Sequence, residues 1–298
     1  MVNELLVNDN AEALKRKRVK SKFGRILALA FVYFILILMY APLLYVTVFS
    51  FTDSTTTGKW DKFSFKTYTT LFDVSSNIKA QAIWTAAGNT VLVAVVSGLI
   101  ATILGTLGAI GIYYLRKKKL KNALEFVNQI PVVNAEIVTA VSLCVLFVLI
   151  KKLTGMERNF MTLVVGHVVL GIPYVVMSVE PKLEQMDPSL YEAAMDLGAT
   201  QTQALLKIVI PDILPGILSG FMLSVTLSLD DYVITSFTKP GGFNTISTYV
   251  DEAMKKGGLP IQLRAFTALL FGIILIVMIL TAVKSGLDAK KLEKKKEI

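Results

Sequence analysis

The sequence is poor in the residues on which most site chemistry rests. Among 298 residues there is one cysteine, Cys144, and one histidine, His167. A lone cysteine excludes an intrachain disulfide, and inside an apolar run it reads as a small core residue. A lone histidine, with no second His or Cys at ligand spacing, speaks against a zinc or other metal site. Its setting, Gly166-His167-Val168, reads instead as packing or a helix-to-helix hydrogen bond. No G-x-x-x-x-G-K-[ST] run is present to cradle a nucleotide phosphate, so no cofactor is expected in this chain. Charge is scarce as well. Asp, Glu, Lys and Arg make up 18% of the residues and hydrophobic types 54%. The mean hydropathy of +0.61 lies outside the soluble globular range.

What is abundant is apolar sequence in runs of membrane length. A helix crossing a hydrocarbon core of about 30 Å needs about 20 predominantly apolar residues. Six stretches qualify: 26–52, 88–115, 130–150, 159–179, 212–237 and 265–283. They predict an all-α membrane protein with six transmembrane helices, preceded by a basic tail over 1–25 and followed by a Lys-rich tail over 285–298. The first run is much longer than the core of a secretory signal, about 7 to 15 residues, and is read as a retained span.

Lys and Arg concentrate on the cytoplasmic side of membrane proteins. The tail before the first run carries seven, between Lys15 and Arg25; the loop after the second carries five, from Arg116 to Lys121; the final tail carries six. With Lys182 and Lys207, one side holds 20 against 11 on the other, so both N and C termini are expected in the cytoplasm. The net charge of +9 is spread over span ends, where long side chains can snorkel to anionic headgroups. With no soluble basic domain, membrane lipids rather than nucleic acid are the expected partner.

The polar segment 180–211, between the fourth and fifth runs, has internal design. Asp187-Pro188 reads as a helix N-cap and first residue. Leu190, Ala193, Ala194 and Leu197 then share one face at i, i+3, i+4 and i+7. Gly198 suits the left-handed end of such a helix; Thr200 or Thr202 can cap a second helix, and Pro211 marks the start of the next span. Glu192-Ala193-Ala194, three residues before Gly198 and nine more before Ile208, followed by Ile210-Pro211, resembles the EAA loop of ABC importer permeases. Ile210 stands where that pattern usually has Leu. In that family the loop is a coupling helix that docks on a cytoplasmic ATPase. The resemblance therefore implies ATPase coupling through Glu192, Ala193, Ala194, Leu197, Gly198, Ile208 and Pro211. An interfacial amphipathic helix without a partner is the plainer reading.

Carboxylates within spans are costly and default to a functional hypothesis. Asp230 and Asp231 fall in the fifth run and Glu136 in the third. Ser224, Ser228, Asp231, Thr235 and Thr238 form one polar stripe on a helix face, which implies a lumen, while Asp230 points about 100° away. A rise of about 1.5 Å per residue puts the aspartates about 28 Å above Asp212, near the outer mouth, and Glu136 in the inner half. Two acidic stations at different depths would suit a cationic solute. Helix-to-helix clamps for the aspartates, and a salt bridge at the cytoplasmic edge for Glu136, are the alternatives.

The run Ser228-Leu229-Asp230-Asp231-Tyr232-Val233-Ile234-Thr235-Ser236-Phe237 resembles the signature of PotC-type permeases, the spermidine and putrescine branch of the same family. Ala135-Glu136-Ile137-Val138, Gly166-His167 with Pro173-Tyr174, and the stretch 190–199 agree. The resemblance implies a MetI-like permease fold in a bacterial cytoplasmic membrane. It also implies a second, PotB-like permease subunit, a PotA-like ATPase homodimer holding ATP and Mg, and an external PotD-like polyamine-binding protein. The substrate path would be Asp231, Asp230 and Glu136, with Ser228 from the stripe and Tyr232 and Phe237 as aromatic neighbours of a cation. Two other functions compete: the same permease class carrying an opine or aminophosphonate, and a membrane-embedded aspartyl enzyme. Against the enzyme stands the divergence of about 100° between adjacent residues on a helix.

Overall fold

The computed structural model describes residues 2–54, 58–256 and 258–296. Among the described residues the chain is all-α, with a single isolated bridge between Thr52 and Phe63. Six helices are long and apolar enough to cross a membrane: Gly24–Phe49, Ile78–Tyr113, Glu136–Thr154, Phe160–Gln185, Gln201–Asp230 and Ile261–Thr281.

Two units divide the chain. The first comprises Met1–Ala80 and Pro260–Ile298. In it α1 (Val2–Phe49) and α2 (Lys66–Phe72) pack on α12 (Ile261–Lys296). The segment between α1 and α2 is pinned by an aromatic cluster of Phe51, Phe63, Phe65 and Tyr68 and by Arg264, which donates to the Ser54 carbonyl at 3.1 Å. Apart from Arg25 and Lys284, the charges of the expected basic and Lys-rich tails fall outside the described side chains.

The second unit, Gln81–Leu259, takes in most of α3 (Ile78–Tyr113), then α4 (Lys118–Val133), α5 (Glu136–Thr154) and α6 (Phe160–Gln185). It continues through α7 (Pro188–Asp196), α8 (Gln201–Ala204), a π-helical turn (Leu205–Val209), α9 (Ile210–Asp230), α10 (Val233–Thr238) and α11 (Ile246–Lys255). Helix α6 is its axis. Small residues let α3 and α9 approach it, as is usual where lipid offers no hydrophobic drive for association. A Cβ on Gly171 of α6 would lie 2.2 Å from Ser224 Oγ of α9 and 3.0 Å from Ala101 Cβ of α3. One on Gly220 of α9 would lie 3.0 Å from Val175 Cα. Below these contacts Ala109, Ile112, Val176, Val179, Leu183, Val209 and Ile213 form a continuous apolar core.

The helices depart from the predicted spans in three places. The run 130–150 is not one helix: α4 ends at Val133, two extended residues follow, Asn134 and Ala135, and α5 begins at Glu136. The fifth helix begins at Gln201 rather than near Asp212, because Pro211 does not start it. The π turn, with its i→i+5 bond from Ile210 N–H to Leu205 C=O, widens the helix where a proline ring would clash with the carbonyl four residues back. The same helix stops at Asp230 rather than running to 237. Asp231 is extended, with ψ 128°, and α10 starts afresh. Thus the interhelical part of 180–211 shrinks to 186–187 and 197–200.

Because Gly171 faces both neighbours of α6, Gly171→Val should lower the thermal midpoint in detergent, with a packing cost of about 1–3 kcal/mol. Gly111→Val, where an added Cβ meets open space, should leave the midpoint within a degree or two of the parent by the same measurement.

Candidate functional site

The break between α9 and α10 sits beside a cavity of about 440 Å³ lined by Pro131, Asn134, Glu136, Thr139, Leu170, Tyr174, Leu227, Asp230, Asp231 and Tyr232, among others. Helix α4 explains why Glu136 belongs to it. Near its start, Lys121 pairs with Glu125 at 3.7 Å, and both neighbour Glu180, close to the end of α6. At its far end Pro131 and Val132 have reached the level of Tyr174 and Leu170. The chain has therefore already climbed along α6 before α5 begins. Glu136 and the aspartates are not two stations at different depths, as a single straight helix on each side would make them: they line one cavity. The cytoplasmic-edge salt bridge for Glu136 is replaced by this setting. In the first turn of α5, its carboxylate also gains from the positive end of the helix dipole.

The polar stripe of the fifth run is real but faces inward. Ser224, Ser228, Asp231, Thr235 and Thr238 are all buried, and the partner of the central three is His167 of α6, itself 2% exposed. Its Nδ1 lies 2.7 Å from Ser228 Oγ and its Nε2 3.0 Å from Thr235 Oγ1, with Asp231 Oδ2 at 3.5 Å from Nε2. Asp231 spends its carboxylate on the first turn of α10. Oδ1 accepts from Ile234 N–H at 3.1 Å, and Oδ2 from Thr235 N–H at 2.8 Å and Thr235 O–H at 2.7 Å. Hence the stripe is a helix clamp, since the break that follows Asp230 turns Asp231 inward. Asp230 is exposed on the cavity wall, as is Tyr232, and the buried Asp231 carboxylate reaches the same cavity beside Glu136. Phe237 packs partly buried against the cluster of Ala140, Leu143, Phe147 and Ile234, away from the cavity lining.

Tyr174 and Asn134, which are not among the site residues expected from the sequence, also line the cavity. The signal for Tyr174 lay in its spacing: it follows His167 by seven residues, two turns along the same face of α6. Outside the cavity, Ser247 of α11 donates to the Asp231 carbonyl at 2.8 Å. Asn89 Nδ2 donates to Asn244 C=O, and Ile246 N–H to Thr90 Oγ1, each at 2.9 Å. On α11 itself, the hydrogen bond from Lys255 holds the Asp251 carboxyl below its ordinary range, with a smaller contribution from Tyr232 O–H.

The second candidate region is the segment between α6 and α9. Asp187 Oδ1 accepts from Ser189 N–H at 2.9 Å, which caps α7 and holds that carboxyl below the usual range. Helix α7 ends at Gly198, whose φ of +85° favours glycine; Gly198 N–H donates to Met195 C=O and Ala199 N–H to Ala194 C=O. Thr200 and Gln203 form the reciprocal capping box that opens α8. Tyr191 attaches α7 to the core and stacks obliquely on Tyr114 at 5.4 Å. The other face is open: Leu190, Glu192 and Ala193 are exposed, and Leu197 is 90% exposed. Ile208 is half-buried within the π turn and Pro211 exposed just beyond it.

Six membrane-length helices among the described residues, the fourth and fifth joined by the short, exposed helix α7, define a multi-pass membrane protein. The sequence profile of the family described as "Binding-protein-dependent transport system inner membrane component" matches residues 100–291, and the chain belongs to that family. It is 32% identical over 241 residues to the putrescine transport system permease protein PotI of Escherichia coli K12, covering 80% of this chain and 83% of that protein. It is 31% identical over 252 residues to the spermidine/putrescine transport system permease protein PotC of Haemophilus influenzae, covering 85% and 93%. A chain of a bacterial ABC transporter involved in import of the acidic polysaccharide alginate shares the fold, with a TM-score of 0.63 at 15% identity over 88% of this chain and 95% of that one. The chain is a multi-pass permease subunit with the MetI-like fold, and not itself a catalyst.

Removing the Asp231 carboxylate leaves two buried N–H groups without acceptors, a cost of about 1–3 kcal/mol for each. Asp231→Ala should accordingly lower thermal stability and the yield of monodisperse protein on size-exclusion chromatography, whereas Asp230→Ala should leave both near the parent values.

Proposed function

We propose that this chain forms one half of the translocation path of an ATP-driven importer of polyamines, spermidine or putrescine. Both termini would lie in the cytoplasm, α7 would dock on a cytoplasmic ATPase, and a second permease subunit would complete the path. An ATPase homodimer would bind ATP and Mg, and an external binding protein would deliver cargo at a bacterial cytoplasmic membrane. The observation that carries the cargo is the cavity in which Glu136 and Asp230 are joined by Tyr174 and Tyr232. Aliphatic amines are cations at neutral pH. Carboxylates replace part of their lost hydration, and aromatic faces add cation–π attraction. The printed functions of the relatives, putrescine and spermidine/putrescine transport, support the same cargo. An opine or aminophosphonate, carrying negative charge, would meet repulsion there. An aspartyl enzyme needs two carboxylates on one substrate, and Asp231 is already committed to α10.

Uptake of labelled spermidine by proteoliposomes holding the two permease subunits and ATPase, supplied with the binding protein, tests this reading. Glu136→Gln and Asp230→Asn should each lower ATP-dependent uptake roughly tenfold, the equivalent of losing one charge contact of about 1–2 kcal/mol. Undiminished or faster uptake in both variants would reject a cationic cargo.

The coupling role has its own test. Gly198→Pro imposes a φ near −65° where the chain requires +85°, and so destroys the end of α7. Membrane insertion should survive while ATP-driven uptake is abolished; normal uptake would rule the role out.

A further inference from the structure

The hydroxyl and imidazole protons of the buried cluster can be followed one by one. Asp231, as a carboxylate, can only accept, so the single hydroxyl proton of Thr235 goes to Oδ2, at 2.7 Å. Thr235 Oγ1 must then accept from His167 Nε2–H, at 3.0 Å. In a neutral imidazole, which carries one ring proton, that leaves His167 Nδ1 as an acceptor for Ser228 O–H, at 2.7 Å. Ser228 Oγ in turn lies 3.2 Å from Ser97 Oγ of α3. One imidazole on α6 thus joins the last turn of α9 to the first turn of α10, with Asp231 closing the ring from the far side of the break.

This clasp fixes the direction of the peptide that separates the two helices. Ser228 is two residues before Asp230, and Thr235 five residues after it. With both held by one rigid ring, Asp230 is left exposed on the cavity wall, while Asp231 is buried with its carboxylate at the cavity's edge beside Glu136. We propose that His167 is a positioning residue for the substrate path: it meets no substrate itself, but by clasping Ser228 and Thr235 it aims Asp230 into the cavity beside Glu136. Of the two adjacent carboxylates, Asp230 is the one exposed to solute, while Asp231 is held to α10 with its carboxylate beside Glu136. The inference rests on the transport reading only for the identity of the solute.

The absence of any cysteine besides Cys144 makes the aim of residue 230 measurable. In a Cys144→Ser background, the full chain in native membranes would carry either Asp230→Cys or Asn134→Cys, two positions on the cavity wall. The probe is a charged, water-soluble methanethiosulfonate. Both thiols should react, and adding His167→Ala should slow the thiol at 230 on the order of tenfold by displacing it from the wall. The thiol at 134, on the part of the wall contributed by the α4–α5 junction, should keep its rate, which separates loss of aim from general loosening. Ser228→Ala combined with Thr235→Val should reproduce the His167→Ala effect. His167→Gln, whose amide retains one donor and one acceptor, should restore most of the rate. An unchanged rate at 230 in His167→Ala, or an equal fall at 134, would overturn the proposal. Spermidine added before the probe examines the transport reading separately. Protection at 230 is expected, whereas a His167-dependent rate without protection would overturn the cargo and leave the positioning role standing.

Discussion

A helix interrupted among packed apolar helices exposes backbone groups that the surroundings cannot satisfy, so it persists only where protein supplies partners. The second unit is organised around meeting that demand at residues 230–232. Asp231 accepts the N–H groups of Ile234 and Thr235; Ser247 donates to the Asp231 carbonyl; and His167 joins the two sides. The contacts of His167 depend on α6 and α9 standing close together. That closeness is supplied by residues without bulk, above all Gly171 and Gly220 on the facing helices. Gly166, whose Cβ would lie 2.7 Å from Ile234 Cγ2, does the same one residue before His167. The small residues admit the neighbours, the polar residues satisfy the break, and the break gives the cavity its wall.

This order of dependence shows why the sequence was legible in part. Six long helices followed from apolar run length alone, because the hydrocarbon thickness leaves little freedom in how a chain can cross. The helix, turn, helix between α6 and α9 was also legible, since Asp187, Gly198 and Thr200 act on their own neighbours within four residues. The Ser224 to Thr238 stripe was legible as a stripe and misread as a lumen. Periodicity says which residues share a face; it does not say whether that face meets water or a histidine on another helix. The depth of Glu136 was misplaced for a related reason. Counting rise per residue presumes that a helix begins at the membrane edge, whereas α4 carries the chain part of the way up beside α6 before α5 begins.

The π turn was the feature least accessible to sequence reasoning. Pro211 marks a helix start in most contexts, and nothing local to 205–209 distinguishes a new helix from an accommodated proline. What decides the matter is the core: Val209 and Ile213 are fully buried against α6. Ending the helix between them would expose polar backbone in that apolar cluster. Widening the helix by one residue keeps the backbone bonded and the apolar face in register, a smaller cost than a break.

That continuity bears on how the proposed coupling would reach the cargo. From Gln201 to Asp230 the chain is helical without interruption, so displacement of α8, which α7 joins through the short turn 197–200, would be transmitted as rigid motion of one rod. The rod ends where hydrogen bonding changes hands, at Ser228 and Asp231. A tilt or turn of α9 therefore acts first on the clasp at His167 and on the aim of Asp230. On this reading the two candidate regions are the ends of one mechanical element. The carboxylate exposed to solute is mounted on its tip, and the carboxylate beside it holds that tip to α10.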